Sequence, residues 1–324
     1  MSNLLLEYLS GAPGKSGFGS SSTAEDVTLG LCLHNLTAIV TGATSGIGAE
    51  TARVLAKRGC CVIIPARNLK AAQALKESIL QETPHAKIIP LKMDLSSFSS
   101  IRSFAEKFLT LNLPLNILVN NAGVFCKTFR KSEDGYEMSF ATNHLGHFLL
   151  TEMVLERMVT SAEEMGVQGR IVNVASCLHR WVGKHGIAFH SLHDKHSYVE
   201  SSNYAQSKLA NILHSKELAR RLKKVEAYVT ANSVHPGIVK TNITRDRGGL
   251  LTDLIFRAAS VFMKTIPQGA ATVCYVASHP NLEGTSGKYF VDCNEAECSY
   301  VASDEKQASH LWSYSEKITT LRPL

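Results

Sequence analysis

Long hydrophobic runs are missing: nothing in the 324 residues approaches the roughly 20 consecutive apolar residues that a bilayer-crossing helix needs. Charge of one sign is also scarce. The chain holds 34 Lys and Arg against 28 Asp and Glu, and the balance of +6 is spread along it instead of gathered into a tail or stripe. Nucleic acid is therefore not the expected partner. The eight cysteines include no C-x-x-C pair, and a chain of this length needs no covalent staples. Zinc knuckles and a disulfide scaffold are excluded, and reduced, mostly buried thiols are expected. The opening MSNLLLEYLS lacks a basic region and a sustained apolar stretch, so it is not a secretory signal. Residues 1–30 are rich in Gly and Ser but hold one Lys, no Arg and the acids Glu7, Glu25 and Asp26, which is unlike a cleaved plastid presequence. On composition alone the protein is cytoplasmic and not secreted.

What is present is an alternation. From Leu36 to Asp292, short β-branched runs are separated by longer helical patterns, the signature of βαβ units on a parallel sheet. The expected strands are LTAIV, CVIIP, AKIIPL, LNILV, RIVNV, YVTANSV and GKYFV. They make an α/β, single-domain Rossmann fold: a doubly wound seven-stranded parallel sheet with helices on both faces. Residues 1–35 form an N-terminal extension, in which Ser22 and Glu25 are placed to cap a short helix. Residues 36–324 form the domain, with no internal repeat and no linker dividing it.

The segment Thr41-Gly42-Ala43-Thr44-Ser45-Gly46-Ile47-Gly48 lies between the first strand and its helix. Glycines there allow a tight turn and close backbone approach to a pyrophosphate at a helix N-terminus, although a glycine cluster alone is also an ordinary turn. The second strand ends Pro65-Ala66-Arg67-Asn68, where an NAD-preferring site would place an acid for the ribose 2′-hydroxyl. A guanidinium there pairs with a 2′-phosphate, so NADP(H) is the expected cofactor. Asp94, followed by Leu95, is placed to accept from adenine, and Asn121, Ala122 and Gly123 close the fourth strand beside the switch point. Asp94 and the Asn pair could equally cap helices.

Tyr204 and Lys208 fall four apart on a strong helical pattern, which puts both on one face. A neighbouring ammonium favours the phenolate form of a tyrosine, the condition for acid–base work. On its own such a pair is usually a surface contact.

Together these motifs resemble the short-chain dehydrogenase/reductase family: TGATSGIG, NNAG, Asn143 in FATNHLGHF, Ser176 in RIVNVAS, Tyr204-x-x-x-Lys208 and His235-Pro236-Gly237. The resemblance implies that Tyr204 exchanges the carbonyl proton and Ser176 hydrogen-bonds the same oxygen. It further implies that Lys208 holds the nicotinamide ribose, Asn143 carries a water relay, and Pro236, Gly237, Val239 and Thr241 meet the carboxamide. Gly146 weakens the helix after Asn143, which fits a kinked segment; close helix packing is the other reading.

Between Ser176 and Tyr204 the chain advances 28 residues, longer than in many family members. That lengthened segment, 177–203, and a second one, 242–266, are assigned to the substrate side. The spacing, with QSKLANILH and GKYFVDCNEAECS, resembles the retinol-dehydrogenase-like branch, and GFGSSSTAEDVT resembles its plant members from the chloroplast envelope. The implied activity is NADP(H)-dependent hydride transfer to or from a small apolar aldehyde, ketone or alcohol. The alternative it implies is an NADP(H)-sensing component of a chloroplast inner-envelope complex, with peripheral membrane association. Homo-oligomers occur in the family and are an open expectation here.

Four further features have competing readings. His190, His193 and His196, with Asp194, are spaced so that neither helix nor strand aligns them, and are read as a solvated loop with no metal. Leu250 to Phe262 is amphipathic, fit to cover an apolar substrate, rest on a membrane surface or pack in the core. It and the basic Arg220 to Lys224 stretch could offer a helix to a calmodulin-like partner, against the plainer reading of a solvated face. Cys177, beside Ser176, has no evident basic partner and is read as a buried, inert thiol.

Overall fold

A computed structural model describes residues 10–239 and 263–320. Thr241, most of the 242–266 segment and the Leu250 to Phe262 helix lie outside the described residues.

Every expected strand forms. They are β1 (Thr37–Val40), β2 (Cys61–Ala66), β3 (Ile88–Lys92), β4 (Ile117–Asn120), β5 (Gly169–Val174), β6 (Val229–His235) and, after a two-residue pair β7 (Ile238–Val239) and β8 (Met263–Lys264), β9 (Tyr289–Val291). The main sheet runs β10-β9-β6-β5-β4-β1-β2-β3. It has eight strands, not seven, because Asn294–Glu295 (β10) turns back through Asp292 and Cys293, both at positive φ, and pairs antiparallel with β9. Two residues are too short to show the alternation by which a strand is read from sequence. All other neighbours in that sheet are parallel, and β1 is flanked by β2 and β4, so the winding reverses beside it.

The helices are α1 (Ala24–Val27), α2 (Gly46–Lys57), α3 (Leu69–Glu82), α4 (Phe98–Thr110), α5 (Gly146–Met165), α6 (Glu200–Lys224), α7 (Ile266–Ser278) and α8 (Glu305–Thr320). Strand side chains alternate between two cores. Ile39, Ile63, Leu118 and Ile171 face the α4, α5, α6 and α8 layer. Ala38, Val62, Val119 and Val172 face the layer of α2, α3, α7 and α1. Both faces of the strands are thus covered, which is why they read as continuous apolar runs.

The cap of α1 is Thr23 with Asp26, not Ser22 with Glu25: the Thr23 side chain accepts from the Asp26 amide, and the Asp26 carboxylate accepts from the Thr23 amide at 2.8 Å. Glu25 instead accepts from Arg53 and Lys57, each at 2.9 Å, and from Arg58 at 3.1 Å, tying the N-terminal segment to α2. All eight cysteines are free thiols, five of them buried. Among the described residues no helix is long and apolar enough to cross a membrane, and no cluster fit for a metal occurs.

Candidate active site

The phosphate end is built from backbone that tolerates no side chain. Gly42 has φ +66, and a Cβ there would lie 2.8 Å from the Ala122 Cα. A Cβ on Gly48 would lie 2.4 Å from Asn121 Nδ2 and 2.5 Å from the Gly42 carbonyl. Only glycine fits at either place. Ser45 opens α2 with no side-chain cap, and Thr44, Ser45, Gly46, Ile47 and Gly48 all line a cleft of about 760 Å³. The first-turn amides of a twelve-residue helix therefore border the cleft, an arrangement suited to phosphate.

Thr41, which precedes this turn, organises the floor. Its Oγ1 accepts from the Asn121 amide at 2.9 Å and the Ala122 amide at 3.0 Å, while Asn121 Nδ2 donates to the Thr41 carbonyl at 2.8 Å. The glycine turn and the end of β4 are thereby one unit. Gly42, Arg67, Asp94, Leu95, Asn121, Ala122, Gly123, Pro236, Gly237 and Val239 line the same cleft, as do Ser176, Tyr204 and Lys208. Asn68 does not: its side chain caps α3, accepting from the Lys70 amide at 3.0 Å and the Ala71 amide at 3.3 Å. Asp94 lines the cleft but caps no helix: it accepts from the Ser96 amide at 2.9 Å and hydroxyl at 2.8 Å, while Ser97 caps α4.

At the other end, α6 carries Tyr204 and Lys208 one turn apart, with Lys208 Nζ 5.6 Å from the centre of the Tyr204 ring. Lys208 is buried and donates to the Val174 carbonyl at 2.9 Å. Loss of water around the ammonium lowers its pKa to about 8. Phe125, following the NNAG turn, packs on the Tyr204 ring at 5.1 Å between centres. Ser176 begins a short turn: its Oγ accepts from the Leu178 amide at 3.2 Å, and His179 Nδ1 donates to its carbonyl at 2.6 Å. Since His179 Nε2 accepts from the Ser299 amide at 3.1 Å, the turn is tied to the loop after β10.

Asn143 does not line the cleft. It is fully buried on a π-type turn, Ala141–Leu145, closed by the Gly146 amide on the Ala141 carbonyl. Its side chain accepts from the Val124 amide at 2.8 Å and donates to the Val124 carbonyl and Ser207 Oγ, both at 3.0 Å. Both readings of Gly146 hold. It ends the irregular turn, and a Cβ there would lie 2.4 Å from the Leu95 carbonyl.

His193 departs from the solvated loop expected from sequence. It is half-buried, accepts from the Glu137 amide at 3.0 Å through Nδ1, and meets the Tyr314 hydroxyl at 2.7 Å through Nε2. Burial lowers its pKa to about 4, so it stands neutral. His190 and His196 are exposed. Cys177 is half-buried, and burial raises its pKa, in keeping with an inert thiol. Thr41, His147 and Ser207 lie inside the recognised motifs but were given no role from sequence, and Phe125, two residues after NNAG, had no signal.

Residues 36–249 match the family described as short chain dehydrogenase. The chain belongs to that family. Short-chain dehydrogenase TIC 32 B, chloroplastic, of Brassica napus is 53% identical over 316 residues, covering 97% of this chain and 98% of its own. Retinol dehydrogenase 12 of Mus musculus is 42% identical over 291 residues, 88% of each chain. Among solved structures, an uncharacterized protein from Mycobacterium paratuberculosis superposes with a TM-score of 0.72 at 29% identity, covering 94% of this chain and 100% of that one. A short chain dehydrogenase from Burkholderia cenocepacia in complex with NADP gives 0.63 at 26% identity, covering 80% and 96%. As a short-chain dehydrogenase the protein is an oxidoreductase of CH–OH and C=O groups that uses a nicotinamide cofactor.

Proposed function

We propose that this short-chain dehydrogenase uses NADP(H) to interconvert an apolar aldehyde or ketone with its alcohol, in the chloroplast. The observation that carries this reading is the convergence of Ser176, Tyr204 and Lys208 with the glycine cradle and Arg67 on one cleft. The compartment rests on the chloroplastic relative matched along 97% of the chain.

The cleft fits the cofactor. The turn from Gly42 to Gly48 lines the cleft at the first turn of α2, and its glycines let the backbone pass close to Ala122 and Asn121 so that the α2 amides stand open to a pyrophosphate. Arg67 lies at the end of β2 with no acid beside it in sequence and lines the cleft, so its guanidinium serves a 2′-phosphate. Asp94 and Leu95 would hold the adenine, Lys208 the ribose, and Pro236, Gly237 and Val239 the carboxamide. When bound, the nicotinamide supplies or accepts the hydride.

The chain's residues handle the proton and the orientation. Tyr204 gives its phenolic proton to the carbonyl oxygen in reduction and takes it back in oxidation. Ser176, whose Oγ accepts from the Leu178 amide, donates its O–H to the same substrate oxygen, and the two donors stabilise developing negative charge. The Lys208 ammonium, held by the Val174 carbonyl beside the ring, favours loss of the phenolic proton. An apolar substrate suits Val124, Phe125 and Cys126 on the wall. The 177–203 segment reaches that wall, where Tyr198 donates to the Cys126 carbonyl and packs on Phe129.

The test is NADPH oxidation, with NADH alongside, by wild type and Tyr204→Phe across aliphatic and aromatic aldehydes, polyenals, steroids and quinones. Turnover present in wild type and lost in the variant, with NADPH binding retained, is the expected result. A second reading, an NADP(H)-sensing role in an envelope complex, is favoured by the relationship to TIC 32. It would be preferred if both proteins bind NADPH and neither consumes it.

A further inference from the structure

The Asn143 side chain is held by three hydrogen bonds, to the amide and carbonyl of Val124 and to the hydroxyl of Ser207. Ser207 in turn donates to the Tyr204 carbonyl at 2.7 Å, so the side chain is referenced to the helix that carries the tyrosine. The main-chain carbonyl of Asn143 is the part left to be placed. His147 meets it.

His147 Nδ1 lies 3.1 Å from the Asn143 carbonyl, and Nε2 lies 2.8 Å from Thr41 Oγ1. A carbonyl can only accept, so Nδ1 carries the hydrogen and Nε2 the lone pair. Thr41 Oγ1 must then donate to Nε2. Its two acceptor sites are already filled by the Asn121 and Ala122 amides, so the hydroxyl and both ring nitrogens have all their partners. The other acceptor within reach of that hydroxyl, the Val119 carbonyl, is more distant at 3.3 Å. An imidazolium would present a second donor where the site offers only the threonine oxygen. Burial, with the Lys208 ammonium acting in the same direction, keeps the ring neutral. The neighbouring imidazoles of His144 and His214 are also buried and neutral.

We propose that His147 is a positioning residue: Thr41 fixes it as the neutral Nδ1–H tautomer, and that N–H holds the Asn143 carbonyl and so places the π-type turn beside the cofactor cleft. Its effect on turnover rests on the function proposed above, because only then does the placement of Asn143 beside Tyr204 and Lys208 bear on chemistry.

Two substitutions separate this role from space filling. Asn at 147 carries an amide nitrogen near the place of Nδ1 and retains the donor to the Asn143 carbonyl. Gln reaches the place of Nε2 and retains the Thr41 contact alone. His147→Asn is expected to keep kcat within about threefold of wild type, and His147→Gln to lose about tenfold, with the Kd for NADPH within about threefold in both. A ring that only fills space predicts the opposite order, because Gln is nearer His in volume. Gln matching or exceeding Asn would overturn the proposal. The second measurement needs no turnover: nitrogen-15 spectra of histidine-labelled wild type should show His147 as an Nδ1–H tautomer that does not titrate between pH 6 and 8. An Nε2–H tautomer, or a titrating ring, would overturn the clamp itself. A wild type inert toward every carbonyl while showing that signature would sink the reductase reading and leave the clamp supported.

Discussion

Replacing Gly146 by alanine sets two effects of known size against each other. The residue has φ −64 and ψ −40, ordinary helical values, so alanine should gain about 1 kcal/mol from helix propensity. The new Cβ would also lie 2.4 Å from the Leu95 carbonyl oxygen and 3.2 Å from its carbon. Both are backbone atoms and cannot swing aside, so α5 or the strand-end loop must retreat by about 1 Å to reach normal contact. Overpacking of that kind costs about 1–3 kcal/mol, which offsets or exceeds the gain and leaves a net loss of about 0–2 kcal/mol, or a Tm lower by up to about 3 °C. Leu95 lines the cleft and Asn143 lies three residues before Gly146, so the same movement should cut turnover, by as much as about a hundredfold if it reaches the reacting groups. Scanning calorimetry and NADPH oxidation read the two effects. Gly183→Ala is the control: it has no neighbour within 4 Å and no positive φ, and should be neutral or raise the Tm slightly. A Gly146→Ala protein more stable than wild type would refute the close-approach argument.

Arg67→Asp places a carboxylate at the end of β2; the NADPH kcat/KM should fall by about 10- to 100-fold while that for NADH holds or rises, measured with one carbonyl substrate. The pH profile of kcat/KM for NADPH should fall on its alkaline side near pH 8. Below that value Lys208 is charged and can hold the ribose, and above it the buried amine has lost its proton. A limb near the ordinary lysine value of 10.5 would show that burial does not depress it.

The features legible in sequence are those with local or periodic causes. A parallel strand covered on both faces is an apolar run wherever it lies, so β1 to β6 and β9 could be marked before any contact was known. The glycine turn is legible because φ +66 and the absence of a Cβ are demands on one residue type at one place. Tyr204 and Lys208 meet because a helix repeats every 3.6 residues.

What only the tertiary structure decided joins residues that no period relates. His147 reaches Thr41 across 106 positions, Asn143 reaches Ser207 across 64, and His193 reaches Tyr314 across 121. Histidine is where the reading from sequence was weakest, since its spacing says nothing of which nitrogen will meet a donor and which an acceptor. Burial answers that, because a desolvated ring must stay neutral and each nitrogen must find a partner of the right kind. The eighth strand and the cap of α1 turned on the same distinction. Asn294–Glu295 is a strand only because β9 lies beside it, and Asp26 caps α1 while Glu25, one residue earlier, is drawn to the cations of α2. Sequence determined the elements and the chemistry they carry; long-range packing decided how the proton-handling residues are held.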